Sequence, residues 1–152
     1  MLSVILSACV LMVVTVAVHA GGIAVLLLGL MRLEALPPTS LWPITRMLLH
    51  MLWWLILIHL AEISIWGLFY LWRGCLPDAE TAFYFSGATY TTIGYGDVVL
   101  AKPWRPLAPI EGLMGILMCG LSAGYLFAVL SHVYQSRHVK APAVSITNRA
   151  QS

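Results

Sequence analysis

The residues best suited to chemistry form one short polar run, Thr91-Thr92-Ile93-Gly94-Tyr95-Gly96-Asp97. Its chemistry would come from the backbone, because carbonyl oxygens that face one axis can replace the water shell of a K⁺ ion. Such a strand needs dihedrals near the left-handed region, which Gly94 and Gly96 reach at almost no steric cost. The Thr92 hydroxyl would add an oxygen at one end. Asp97, at the other end, would raise the local cation concentration.

Three long apolar segments must position this run, at about 2–31, 46–72 and 107–134. A helix of about 20 residues crosses the hydrocarbon core of a bilayer, so each segment is long enough to span it. The composition agrees, since 61% of residues are hydrophobic and only 9% are charged. This leaves too little charge to coat a water-exposed surface. We therefore predict an all-α membrane protein with three transmembrane helices in a lipid bilayer.

A shorter helix is predicted just before the polar run, at about 79–91, with Asp78 as its N-cap. It is too short to cross the membrane, so we expect it to enter the bilayer and stop, with the polar run returning outward. Backbone that is not helical is tolerated at that depth only where it is buried in protein or faces water. A break between the first two spans is predicted from prolines that stop helices, namely Pro37, Pro38 and Pro43.

The ends of the spans predict the topology. No positive charge precedes the first apolar segment, which favours a retained helix over a cleaved signal peptide. Basic residues place the loop between spans one and two, and the tail, on the cytoplasmic side, with the N-terminus outside. These residues are Arg32, Arg46, Arg137 and Lys140. The first helix carries no row of arginines, so it is not a voltage sensor.

The run Thr92-Ile93-Gly94-Tyr95-Gly96, followed by Asp97, closely resembles the selectivity-filter signature of potassium channels. The resemblance covers residues 47–132 and implies the outer helix, pore helix, filter and inner helix of a bacterial-type potassium channel. The chain then divides into an N-terminal helix (1–31), a cytoplasmic linker (32–45), a pore domain (46–134) and a short cytoplasmic tail (135–152). The resemblance also implies a bacterial inner membrane.

The ion-binding groups implied by the resemblance are backbone carbonyls and one hydroxyl. K⁺ would bind at Thr92, Ile93, Gly94 and Tyr95, with Gly96 completing the filter and Asp97 at the outer mouth. One filter strand offers one oxygen per layer, so a conducting pore requires a homotetramer. The expected function is passive K⁺ conduction, with no enzymatic activity, no cofactor and no nucleic-acid partner.

Three residues are predicted to support the filter. Tyr84 would brace Asp97 by a hydrogen bond. Glu62 lies well inside the second span, where an unpaired carboxylate costs several kcal/mol, so it must face protein. One interpretation is a clamp in which Glu62, with His59 one turn earlier, binds the pore helix or the filter backbone. The other is a hydrogen-bonded acid that joins two helices. Some bacterial channels carry a Glu behind the filter, where this chain has Ala88.

Other residues have a functional and a structural interpretation. The resemblance suggests Gly115 or Gly120 as the inner-helix hinge, whereas Gly120 and Gly124 also fit close helix packing. His132 and His138, where the inner helix leaves the membrane, are candidate pH sensors or ordinary interfacial residues. Glu111 is predicted to pair with Arg105 near the outer mouth. His19 and His50 are predicted to be packing or interfacial residues.

Alternative functions are a poorly selective cation channel, a non-conducting membrane subunit and an ion-coupled transporter. An Asp in place of Tyr95 would favour the poorly selective channel. Loss of Thr92, Gly94 or Gly96 would favour the non-conducting subunit. Related transporters carry several degenerate filter repeats in one chain, whereas this chain has one. The sequence pattern indicates no His/Cys metal cluster.

Overall fold

The computed structural model describes residues 2–31 and 41–139. The helices of this part are α1 (Leu2–Met31), α2 (Leu41–Trp72), α3 (Ala79–Tyr90) and α4 (Leu107–Val139). Three of them are long and apolar enough to cross a membrane, over Leu2–Gly29, Trp42–Trp72 and Leu107–His132. The prediction of an all-helical protein with three apolar spans is therefore confirmed. The predicted linker residues 32–40 and the tail residues 140–152 lie outside the described residues.

Two helix ends differ from the predicted span limits. Helix α2 begins at Leu41 rather than near residue 46, and it includes Pro43. Proline is tolerated in the first turn of a helix because the N–H it lacks would have no intrahelical acceptor there. The prediction that Pro43 belongs to the break was therefore wrong. Helix α4 continues to Val139, five residues past the predicted end of the third span.

The start of α3 agrees with the predicted cap. The carboxylate of Asp78 accepts a hydrogen bond from the Thr81 backbone N–H at 2.8 Å. This bond holds the pKa of Asp78 below its usual range. At about 1.5 Å per residue, the 12 residues of α3 extend about 18 Å, too short to cross a bilayer.

Two apolar clusters hold the helices together. The first joins the beginning of α1, the end of α2, α3 and the beginning of α4, and includes Val4, Leu11, Trp66, Phe85, Leu107 and Met118. The second joins the far halves of α1, α2 and α4 through Leu26, Met51, Leu55, Ile58 and Val129. Because the beginning of α1 packs with the end of α2, these two helices run antiparallel.

A layer of polar side chains lies between the two apolar clusters along all three long helices. We call it the polar layer; it consists of His19, His59, Glu62, Tyr90 and Ser122. His19 comes from α1, His59 and Glu62 from α2, Tyr90 from the end of α3 and Ser122 from α4. The layer therefore joins every helix of the described chain just before the polar run begins.

Candidate functional site

The 91–97 segment follows α3 directly and has an unusual backbone. The φ angles are +61° at Thr92, +50° at Gly94 and +78° at Gly96. The prediction of left-handed dihedrals at the two glycines is confirmed. A positive φ at a β-branched residue such as Thr92 costs on the order of 1–3 kcal/mol and points to a functional constraint. The segment therefore has a positive φ at every second residue.

Three backbone hydrogen bonds attach the segment to the end of α3, and the first runs from the Thr91 N–H to the Gly87 carbonyl at 3.1 Å. The Thr92 N–H donates to the Thr89 carbonyl at 2.9 Å, and the Gly94 N–H donates to the Ala88 carbonyl at 3.0 Å. A cavity of about 230 Å³ adjoins the segment and is lined by residues that include Tyr84, Ala88, Thr92 and Gly94. Position 88 carries no carboxyl side chain, and this side of the segment is held by these backbone bonds and by the Thr91 hydroxyl, which donates to the Gly87 carbonyl at 2.6 Å.

The far end of the segment is held by a side-chain hydrogen bond. The Tyr84 hydroxyl donates to Asp97 Oδ2 at 2.7 Å, as predicted. This bond lowers the pKa of the Asp97 carboxyl and raises the pKa of the Tyr84 phenol. Asp97 is therefore ionised at neutral pH and exposed, which places a fixed negative charge where the segment ends. That the bond supports a working filter stays a prediction.

Glu62 contacts α3 through a side chain rather than through the backbone of residues 89–92. Its Oε2 accepts a hydrogen bond from the Tyr90 hydroxyl, and its Oε1 lies 2.9 Å from His19 Nδ1. His59 Nδ1 lies 3.3 Å from Glu62 Oε2 and 2.9 Å from the Tyr90 hydroxyl. Glu62 is fully buried. The residue that ends α3 is thus bound to α2 and is linked to α1 through Glu62.

The sequence did not predict the pairing of His19, nor did it single out Tyr90 or Ser122 as members of this layer. His19 is only 2% exposed and binds Glu62, so it is neither an interfacial residue nor a purely packing one. Sequence spacing reveals neighbours on one helix, such as His59 and Glu62, but not a partner 43 residues away on another helix. The available signal was a single imidazole in the middle of an otherwise apolar span.

The predicted Glu111–Arg105 pair is wrong. Glu111 is fully buried and accepts a hydrogen bond from the Tyr70 hydroxyl at 2.7 Å. The Ser86 hydroxyl lies 2.5 Å from its other carboxyl oxygen. The reason is that Glu111 faces α2 and α3, where the Tyr70 and Ser86 hydroxyl groups lie within hydrogen-bond distance of its carboxyl oxygens and offset the cost of burying them. Glu111 therefore joins α4 to the two preceding helices.

Gly115 lies where α4 comes closest to the end of α3. A Cβ atom added to Gly115 would overlap the Tyr90 carbonyl oxygen, whereas a Cβ at Gly120 would meet nothing within 4 Å. This close approach gives Gly115 a packing role in the described chain. Whether Gly115 or Gly120 is a hinge stays a prediction.

We expect Gly115→Ala to destabilise the protein and Gly120→Ala to leave it nearly unchanged. The Gly115 methyl group would meet backbone, which cannot rotate away, and such overpacking costs about 1–3 kcal/mol. At about 2–4 °C per kcal/mol, the thermal midpoint of the purified protein should fall by about 5 °C. Equal midpoints for the two variants would contradict the assigned packing role.

The two candidate pH sensors lie near the end of α4. His132 is exposed at the limit of the third apolar span. His138 lies on the last turns of α4, but its side chain is outside the described residues. Their role in pH sensing stays a prediction.

Comparison with known proteins places this arrangement in a family. Residues 56–132, just over half of the chain, match the family model described as "Ion channel". The matched part includes the end of α2, α3, the 91–97 segment and most of α4. The chain belongs to this ion channel family. No curated protein and no solved structure matches the chain. In this channel, α1 lies outside the matched region and is nevertheless bound to it through His19.

Proposed function

We propose that this channel is a K⁺-selective homotetramer in which the 91–97 segment is the selectivity filter. The observation that carries the proposal is the positive φ at every second residue of the segment. When residues alternate between left-handed and right-handed backbone conformations, successive N–H groups point to one side of the strand and successive carbonyl groups to the other. A row of carbonyl oxygens on one side is the arrangement that replaces the water shell of K⁺.

The exposure of the segment supports assembly around it. Ile93 is 57% and Tyr95 72% exposed in the single chain, although both flank the backbone that would bind the ion. The backbone beside them is not helical, and at membrane depth such backbone must be buried in protein or face water. Four copies around one axis would cover them and supply four oxygens per layer, from Thr92, Ile93, Gly94 and Tyr95 and from the Thr92 hydroxyl.

Electrostatics supports cation conduction through such a pore. Ionised Asp97 would lie at the outer mouth and raise the local concentration of cations. The end of α3, the pore helix in this proposal, carries the negative end of the helix dipole beside the segment. The proposal places the channel in a bacterial inner membrane with its N-terminus outside. Opening at the inner-helix bundle would respond to protonation of His132 and His138.

The experiment is a reversal-potential measurement on the purified full chain in lipid bilayers, with K⁺ on one side and Na⁺ on the other. A K⁺-selective pore shifts the reversal potential by about 59 mV for each tenfold preference. We expect a shift above about 59 mV and block by Ba²⁺. A shift near zero would identify a poorly selective cation channel. The absence of current across the pH range in which histidine titrates would favour a non-conducting subunit.

A further inference from the structure

The polar layer brings together three classical metal-ligand groups. His19, His59 and Glu62 each offer a ligand atom, and these atoms lie within 4.8 Å of one another. His19 Nδ1 is 2.9 Å from one carboxyl oxygen of Glu62, and His59 Nδ1 is 3.3 Å from the other. Ligands bound tetrahedrally to a zinc ion at about 2.0–2.1 Å are about 3.3 Å apart. The two imidazole–carboxylate separations, each measured to a different oxygen of Glu62, are within a few tenths of an ångström of that value.

The atoms around these groups suit metal ligation. Ser122 Oγ lies 3.1 Å from His59 Nε2 and 3.5 Å from His19 Nε2. A metal at both Nδ1 atoms leaves both Nε2 atoms as N–H donors, and a serine hydroxyl can accept two hydrogen bonds. The Tyr90 hydroxyl, in contact with Glu62 and 2.9 Å from His59 Nδ1, adds an oxygen at a fourth position.

Burial and charge favour a cation at this position. Glu62 is fully buried and His19 nearly so, and the ion-pair partners of Glu62 in the described part of the chain are the two imidazoles. A divalent ion would stabilise a carboxylate that is otherwise costly at this depth.

We propose that His19, His59 and Glu62 bind one first-row transition-metal ion of the Zn²⁺ class in each subunit, with the Tyr90 hydroxyl beside the fourth position. Two imidazoles with one carboxylate select such ions over K⁺ and Mg²⁺, which prefer oxygen ligands. The bound ion would tie α1 and α2 to the residue that ends α3. This site goes beyond the proposed conduction function and does not depend on it.

The test is a Co²⁺ titration of the full-length protein in detergent, freed of purification tag and stripped with chelator. We expect one Co²⁺ per subunit, the visible absorption of a four-coordinate ion, and displacement by Zn²⁺. His19→Ala and His59→Ala should each weaken binding about 100-fold or more. His50→Ala is the matched control, because His50 is exposed on α2 outside the layer, and it should bind as the wild type does.

A milder variant keeps the test decisive if the histidine variants fail to fold. Ser122→Ala removes only the hydroxyl that holds the two Nε2 atoms and should weaken Co²⁺ binding about 10–100-fold. Ser64→Ala is its control, since the Ser64 hydroxyl bonds to the Leu60 carbonyl of its own helix. The inference is overturned if the folded wild type binds no Co²⁺, or if His19→Ala, His59→Ala or Ser122→Ala binds it unchanged.

The outcome is separable from that of the conduction experiment. Metal uptake is measured in detergent without any current. If the protein binds Co²⁺ through these residues but passes no K⁺, the metal site is supported and the proposed conduction function is contradicted. If the protein conducts K⁺ selectively but binds no Co²⁺, the conduction function is supported and the metal site is contradicted.

Discussion

Gly94→Ala is expected to lower K⁺ flux through the reconstituted channel by more than about tenfold. An alanine at a φ of +50° carries a left-handed strain of about 1–2 kcal/mol, and in the proposed tetramer this strain would occur four times around one axis. About 1.4 kcal/mol already changes a population tenfold, so the selective arrangement of carbonyls should be lost in most channels. Flux is measured as K⁺ efflux from liposomes, at equal amounts of incorporated protein.

Gly74→Ala is the matched control for this prediction. Gly74 has a φ of +62°, and a Cβ atom there would meet nothing within 4 Å, as at Gly94. Gly74 lies in the connection between α2 and α3, so the same strain would fall outside the ion path. Normal flux in Gly94→Ala, or equal losses in both variants, would contradict the assignment of the 91–97 segment as the filter.

Removing the Glu62 carboxyl group should cause the largest loss of stability. In metal-free protein, Glu62→Ala takes away the bonding partner of His19 Nδ1 and one partner each of His59 and Tyr90. Leaving buried polar groups without a hydrogen-bond partner in this way costs about 1–3 kcal/mol for each group. We expect a fall of about 10 °C in the thermal midpoint of the purified protein, at about 2–4 °C per kcal/mol.

Two further variants make the Glu62 result specific. Glu80→Ala removes an exposed acid from the first turn of α3 and should cost less than about 1 kcal/mol. Glu62→Gln keeps the shape and one oxygen acceptor, so its loss should be smaller than that of Glu62→Ala. If Glu62→Ala is no less stable than Glu80→Ala, the polar layer does not hold the helices together.

The features that the sequence predicted are those set by local chemistry. The length of an uninterrupted apolar segment is enough to indicate a membrane span. The capping role of Asp78 depends only on the first turn of the helix that follows it. Glycine at positions 94 and 96 allows a positive φ whatever surrounds it. Thr92 is the exception within the segment, because a β-branched residue disfavours the φ of +61° that the surrounding structure imposes on it.

The features that the sequence did not predict depend on how the helices are rotated. An apolar helix has no polar face to show which side meets its neighbour. The partners of His19 and Glu111 lie on other helices, so neither spacing nor composition could identify them. Arg105 is close to Glu111 in sequence, which suggested an ion pair between them. The orientation of α4 about its axis excludes this pair, because it points Glu111 toward α2 and α3.

The polar contacts of α1 have a consequence for shorter forms of this chain. Glu62 and Trp66 of α2 find partners on α1, at His19 Nδ1 and at the Thr15 hydroxyl, which accepts from Trp66 Nε1 at 3.0 Å. Deleting α1 would expose this part of α2, including the Glu62 carboxyl group, to lipid. A two-helix pore made from the remaining chain would therefore need apolar substitutions at both positions before it could remain stable in a bilayer.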